Sequence, residues 1–180
     1  MKLDQQTFEE VVNNHYASLY RFALSLTRHE DPAGDLTQET FRRFAAKAGD
    51  VRDPSKVKSW LFTTLYRQHL ESGRWQTRFP HVEVGDAEAE LPVTFSDVVD
   101  KTDAALARDA LLQVDEVFRA PLTLFYLEDH SYREIAGILN IPTGTVMSRI
   151  SRGRNQLRQL LTEKTDHVIP FETCKTGGVA

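Results

Sequence analysis

Apolar positions recur every three to four residues through the first part of the chain. Phe8, Val11, Val12, Tyr16, Leu19, Phe22, Ala23 and Leu26 share one stripe and predict an amphipathic helix of about 20 residues. Thr7-Phe-Glu-Glu10 is a capping box placed to start it. Asp31-Pro32 is a restart signal, a capping side chain followed by proline at the first helical position. The helix beyond it buries Leu36, Thr40, Phe41 and Phe44 and stops near Gly49. Asp53-Pro54 repeats the start signal, and Val57, Trp60, Leu61, Thr64 and Leu65 line the buried face of a third helix.

That periodicity is lost over residues 76–103, which hold two prolines and predict a flexible linker. It returns in Ala104–Phe118, through Leu106, Ala110, Leu111, Val114 and Val117, and then in Pro121–Leu127. Ser131-Tyr-Arg-Glu134 is a second capping box, directly ahead of Ile135, Ala136, Ile138 and Leu139. Asn140-Ile141-Pro142 ends that helix early, because proline disfavours helical backbone at the residue before it. Thr143 is then placed to cap a second helix. The fold class is all-α, two small helical domains joined by an acidic linker, with domains at 1–75 and 104–164 and a tail at 165–180 of no assignable role.

A short capped helix, a three-residue turn and a second capped helix form a helix-turn-helix, the arrangement that sets a helix into the DNA major groove. In the second helix Val146, Ile150 and Leu157 share the inward stripe. Thr145, Ser148, Arg152 and Asn155 fall on the opposite one, flanked by Arg149 and Ser151, and Arg154 adds to the basic helix. Serine, threonine and arginine suit base edges and phosphates.

Charge changes the picture. The net charge is −4, unusual for a chain that holds DNA unaided. Along the sequence it divides into +2 over residues 1–80, −6 over 81–110 and zero over 111–180. Residues 143–164 nevertheless carry Arg149, Arg152, Arg154, Arg158 and Lys164 against Glu163 alone. Local basic surface can dock DNA, but long-range attraction is weak, so something else delivers the chain to its site. The single cysteine, Cys174, excludes an internal disulfide, and the six histidines never share metal-ligand spacing. No apolar run approaches the roughly 20 residues of a membrane span, and no secretory signal precedes the first helix. These features point to a cytoplasmic, cofactor-free protein without catalysis: no glycine-rich phosphate loop or nucleophile–base pair occurs.

Asp35-Leu-Thr-Gln-Glu-Thr-Phe-Arg-Arg-Phe44, continued by Pro54–Arg67, resembles region 2 of the small extracytoplasmic-function (ECF) sigma factors of bacterial RNA polymerase. Leu122–Leu127, Ser131–Ala136 and Ile141–Ile150 resemble their region 4. The resemblance implies a subunit that binds core RNA polymerase and directs it to promoter DNA, under control of an anti-sigma factor. It implies docking of the clamp coiled coil of the largest polymerase subunit on Asp35, Gln38, Glu39 and Arg42. Lys56, Lys58, Arg67, Arg74, Trp75 and Arg78 would supply the cations and aromatic face that capture unstacked −10 bases; Trp60 lies on the buried stripe. Thr145, Ser148, Arg149, Ser151, Arg152 and Arg154 would read the −35 element. Gly34 and Met147 depart from the family's acidic and basic preferences at those positions, and Gly153 interrupts the basic helix. A dimeric helix-turn-helix regulator of an operator is the alternative, and the acidic net charge argues against it.

Overall fold

The computed structural model describes residues 5–47, 53–72 and 101–166. Among them there are seven α-helices and no strand. The helices are α1 (Gln5–Thr27), α2 (Glu30–Lys47), α3 (Val57–Glu71), α4 (Lys101–Gln113), α5 (Glu116–Tyr126), α6 (Tyr132–Leu139) and α7 (Thr143–Asp166). Helices α1 to α3 pack together, α4 to α7 form a second bundle, and α1 and α3 rest on α5 and α6.

In the first bundle Leu19, Phe22, Ala23 and Leu26 of α1 meet Ala33, Phe41 and Phe44 of α2 and Val57, Leu61 and Leu65 of α3, all buried. Each fully buried side chain of this size contributes about 1.5–3 kcal/mol. The first half of α1 is less covered: Tyr16, midway along it, is 42% exposed, although its ring stacks on Phe41 at 6.2 Å. Helix α1 begins at Gln5, so the Thr7–Glu10 box lies inside its first turns and does not start it. Likewise α2 begins at Glu30, with Pro32 in the first turn. There the chain reverses through Arg28, whose φ is 63°. Leu36, expected in the core, is half-buried at a cleft wall, and its place inside is taken by Thr37, whose hydroxyl donates to the Ala33 carbonyl at 2.7 Å. Asp53 does cap as expected, accepting from Ser55 N–H at 3.0 Å ahead of a 3-10 turn at Pro54–Lys56.

Helix α3 buries a second face that the apolar stripe did not announce. Phe62, Tyr66, Gln68 and His69 are buried besides Val57, Leu61 and Leu65, while Trp60 and Thr64 are only partly covered. Trp60 packs on Phe44, with centroids 5.6 Å apart, which is a core role. Phe62 instead meets His130 of the second bundle edge-on at 4.9 Å.

In the second bundle the helix break falls at Asp115, not after Phe118, and Pro121 lies inside α5. The ring removes one backbone donor there, but the helix continues because Ala120, Leu122 and Leu124 are buried on it. Helix α4 starts at Lys101, inside the stretch expected to be linker, and α7 extends to Asp166. The remainder of that linker, residues 76–100, and the tail beyond Asp166 lie outside the described residues.

Candidate nucleic-acid interface

Helix α6 is eight residues long and held at both ends. Ser131 Oγ accepts from Glu134 N–H at 3.3 Å while the Glu134 carboxylate accepts Ser131 N–H at 2.8 Å, satisfying two of the orphan donors of a helix start. These bonds hold the Glu134 carboxyl below its ordinary range, first through the Ser131 backbone N–H. Asn140 closes the helix in the left-handed region, φ 54° and ψ 48°, a conformation asparagine tolerates better than most residues. The Ile141 N–H turns back to the Ala136 carbonyl at 3.1 Å. Helix α7 then starts with Thr143 as its first residue, and Pro142 O takes the first helical bond, from Val146 N–H. Thr143 therefore sits one position inside the cap it was expected to form.

Ile135, Ile138 and Leu139 of α6 and Val146 and Ile150 of α7 share one buried core. Gly153 is also buried: a Cβ there would lie 2.7 Å from Leu122 Cδ1 and 2.9 Å from Phe118 Cβ. The glycine is a point of close approach between α7 and α5, which repays its poor helix propensity.

The expected −35 set is split by burial. Arg152 is exposed, and Thr145, Ser151, Arg149 and Arg154 are partly covered. Ser148, expected on the solvent stripe, is only 5% exposed, and its hydroxyl donates to the Thr145 carbonyl at 3.0 Å. Arg149 Nε is buried with no hydrogen-bond partner among the described residues. Burial lowers the pKa of this guanidinium, and the Tyr66 phenol of α3 opposes the shift. Tyr66 is itself pushed up to about 12, by burial first.

The candidate docking face on α2 is intact. Asp35, Gln38 and Arg42 are exposed, with Glu39 beside them. Glu39 accepts from Arg42 at 2.6 and 2.8 Å and from Arg43 at 3.0 Å, and Arg43 reaches Glu71 of α3 at 3.6 Å. The Arg42 hydrogen bond, then that of Arg43, holds the Glu39 carboxyl down to about 2. Asp35 and Glu39 also line a cleft of about 650 Å³ with Asp31, Arg43, His69 and Glu116. A Cβ on Gly34 would meet nothing within 4 Å, so the missing acidic side chain there has no packing cause.

Of the expected −10 set, Lys56 and Arg67 are exposed. Lys58 is half-buried and donates through Nζ to the Glu128 backbone carbonyl at 2.6 Å. Arg74, Trp75 and Arg78 lie outside the described residues. The spacing arguments missed Arg119, which is 0% exposed. It donates through Nη1 to the Leu112 and Val114 carbonyls, both at 2.9 Å, and through Nε to the Ser25 carbonyl of α1. Burial, and then repulsion by Arg28, lowers its pKa to about 10. Arginine next to an apolar helix face reads as solvated in a sequence; only the three splayed carbonyls reveal its place.

The two bundles coincide with two known modules. Residues 11–78 match sigma-70 region 2, and residues 105–157 match sigma-70, region 4. The ECF RNA polymerase sigma factor EcfG of Rhodopseudomonas palustris is 33% identical over 147 residues, covering 80% of this chain and 79% of that protein. SigW of Bacillus subtilis, also an ECF RNA polymerase sigma factor, is 27% identical over 175 residues, covering 90% and 92%. The chain spans 62% of the length of SigE from Mycolicibacterium smegmatis, with 31% identity. Among solved structures, the sigma factor RpoE in complex with the anti-sigma factor NepR from Bartonella quintana superposes with a TM-score of 0.64 at 29% identity, covering 87% of this chain and 98% of that one. Two helical modules matched in order, and a relative of this identity over four-fifths of the chain, place it in a family: the chain belongs to the ECF sigma factors of the sigma-70 family, with regions 2 and 4.

Proposed function

We infer that this chain binds core RNA polymerase and directs it to a set of promoters, with the first bundle docking polymerase and opening the −10 element and the second reading the −35 element. The observation that carries this is the pairing on one chain of a capped helix-turn-helix, whose α7 presents Arg152 to solvent, with the ordered Asp35–Arg42 face of α2. The work is binding, not catalysis. Acidic net charge fits a subunit that polymerase carries to DNA.

On α2, Glu39 orders Arg42 and Arg43 before any partner arrives, so less side-chain entropy is lost on docking. That face fits the clamp coiled coil of the largest polymerase subunit. Lys56 and Arg67, with Arg74 and Trp75, are assigned to the −10 strand, where cations and an aromatic face hold unstacked bases. Thr145, Ser148, Arg149, Ser151, Arg152 and Arg154 are assigned to the −35 duplex, with Lys58 joining the −10 set once its bond to Glu128 is released. An anti-sigma factor is the expected regulator, supported by the solved complex of the relative from Bartonella quintana. No helix among the described residues is long and apolar enough to cross a membrane, and work beside core polymerase puts the chain in the cytoplasm.

Run-off transcription tests the reading. Purified chain added to core polymerase is expected to yield a discrete transcript from the promoter of its own operon. Tight binding to duplex DNA with no polymerase binding would favour an operator-binding dimer and sink the assignment.

A further inference from the structure

Two histidines lie along the seam where the first bundle meets the second. His130, in the turn between α5 and α6, packs edge-on against Phe62 of α3 at 4.9 Å, and its side chain is only 2% exposed. Its Nε2 is buried with no hydrogen-bond partner among the described residues. His15 of α1, half-buried, feels the same cation as His130, Lys58 of α3. Lys58 in turn donates to the Glu128 backbone carbonyl at 2.6 Å, two residues ahead of His130.

A proton on His130 therefore adds a second buried cation near Lys58, with no acceptor for Nε2. The acids around the ring are engaged or solvated. Glu128, its side chain 1% exposed, is held by Arg21 of α1 at 3.1 and 3.4 Å. Glu134 of α6 stands 3.9 Å from Nδ1, but that same oxygen already accepts the Ser131 N–H at 2.8 Å and its hydroxyl at 2.7 Å. Asp129 is exposed, so water and salt screen it. A buried charge without a partner costs more than such acids return.

Burial first, and Lys58 second, favour the neutral form of both rings, and the pKa of His130 falls to about 4. Their contribution to the seam is whole above the ordinary 6.5 and is lost as pH falls below it. Glu128 works the other way, since burial raises its carboxyl and acid relieves it, although Arg21 limits that effect. His69, which meets Glu116 between α3 and α5 at 3.3 Å, would also hold it more tightly with a proton. The His130 ring is displaced furthest from its ordinary range and sets the direction.

We propose that this seam is a proton-sensitive joint: the bundles stay together while His130 is a neutral ring between Phe62 and Lys58, and part when it is protonated, each bundle remaining folded. Acidification is thereby converted into a change in the separation of the two modules. The proposal goes beyond the function inferred above and does not depend on it.

Small-angle X-ray scattering of the full chain through an acid titration tests the joint, with far-UV circular dichroism at each pH to follow the helices. The radius of gyration should rise with helix content unchanged, the ratio of opened to packed chain growing about twentyfold between pH 7 and pH 5. His130→Gln, which keeps a polar side chain that cannot charge, should open far less. Glu134→Gln keeps the cap, because glutamine also serves at that position, and removes the carboxylate facing the ring; it should open at higher pH. A constant radius of gyration down to pH 5 in the unaltered chain overturns the joint, as does helix loss in step with expansion. Opening of His130→Gln in parallel with the unaltered chain does the same. If His130→Gln does not fold, Glu134→Gln decides: opening at the unaltered pH or a lower one sinks the proposal.

Discussion

Gly153 of α7 faces Leu122 of α5 so closely that a single added carbon would stand 2.7 Å from Leu122 Cδ1, with Phe118 Cβ at 2.9 Å. Alanine at this site gains up to about 1 kcal/mol in helix propensity. Overpacking costs about 1–3 kcal/mol, and the Phe118 atom belongs to a side-chain root that moves only with its helix. Gly153→Ala is therefore expected to lower the urea unfolding midpoint. Gly34→Ala, where a Cβ meets nothing within 4 Å, is the control and should raise it. A Gly153→Ala midpoint at or above the parent would show slack between α5 and α7.

Ser131 anchors a helix too short to persist alone. Ser131→Ala removes the acceptor for Glu134 N–H and a partner of its carboxylate. A loss of about 1 kcal/mol in folding stability is expected, with weaker −35 binding because α6 orients α7. Denaturant titration measures the first and anisotropy with labelled duplex the second. Unchanged stability would mean that the core alone sets the position of α6.

His130 is packed edge-on against Phe62, and burial, followed by Lys58, lowers its pKa from 6.5 to about 4, against the pull of Glu134 and Asp129. The folded state thus favours the neutral ring. Its contribution is intact above pH 6.5 and is lost as pH falls from 6.5 toward 4, at about 1.4 kcal/mol per unit. Glu128, raised by burial, acts the other way, its contribution falling as pH rises through the range above its ordinary 4.5. Urea unfolding of the parent should lose about 2 kcal/mol more between pH 7 and pH 5 than that of His130→Gln. Equal losses would show that the ring titrates normally.

Arg152 is the exposed arginine of the −35 set. Arg152→Ala should cut initiation at −35-dependent promoters by about tenfold, within the roughly 1–3 kcal/mol of one base contact. Affinity for core polymerase, read by native gel or calorimetry, should not change. A fall in polymerase affinity would place α7 at a protein interface instead.

The helix-turn-helix was legible because its signals are local. Ser131 and Glu134 meet three residues apart, Asn140 and Pro142 close and reset the chain, and the inward stripe of α7 follows from its period. The Asp35–Arg42 face was legible for the same reason: Glu39 and its arginines are one helical turn apart. Pro121 misled, since burial of its neighbours on α5 outweighs the lost backbone donor. Gly153 looked like a defect until α5 was seen against it.

By itself the sequence determined the all-helical class, the caps at Asp53 and Ser131 and the two helical modules, because each depends on contacts within a few residues. Tertiary structure alone decided which of their faces meet. Lys58 and Arg119 carry polar side chains that any local reading sends to solvent, yet each is withdrawn by groups distant in sequence, 70 residues away for Lys58 and Glu128 and 94 for Arg119 and Ser25. Periodicity tells a residue which side of its own helix it occupies. It cannot tell whether a second bundle will come to lie there.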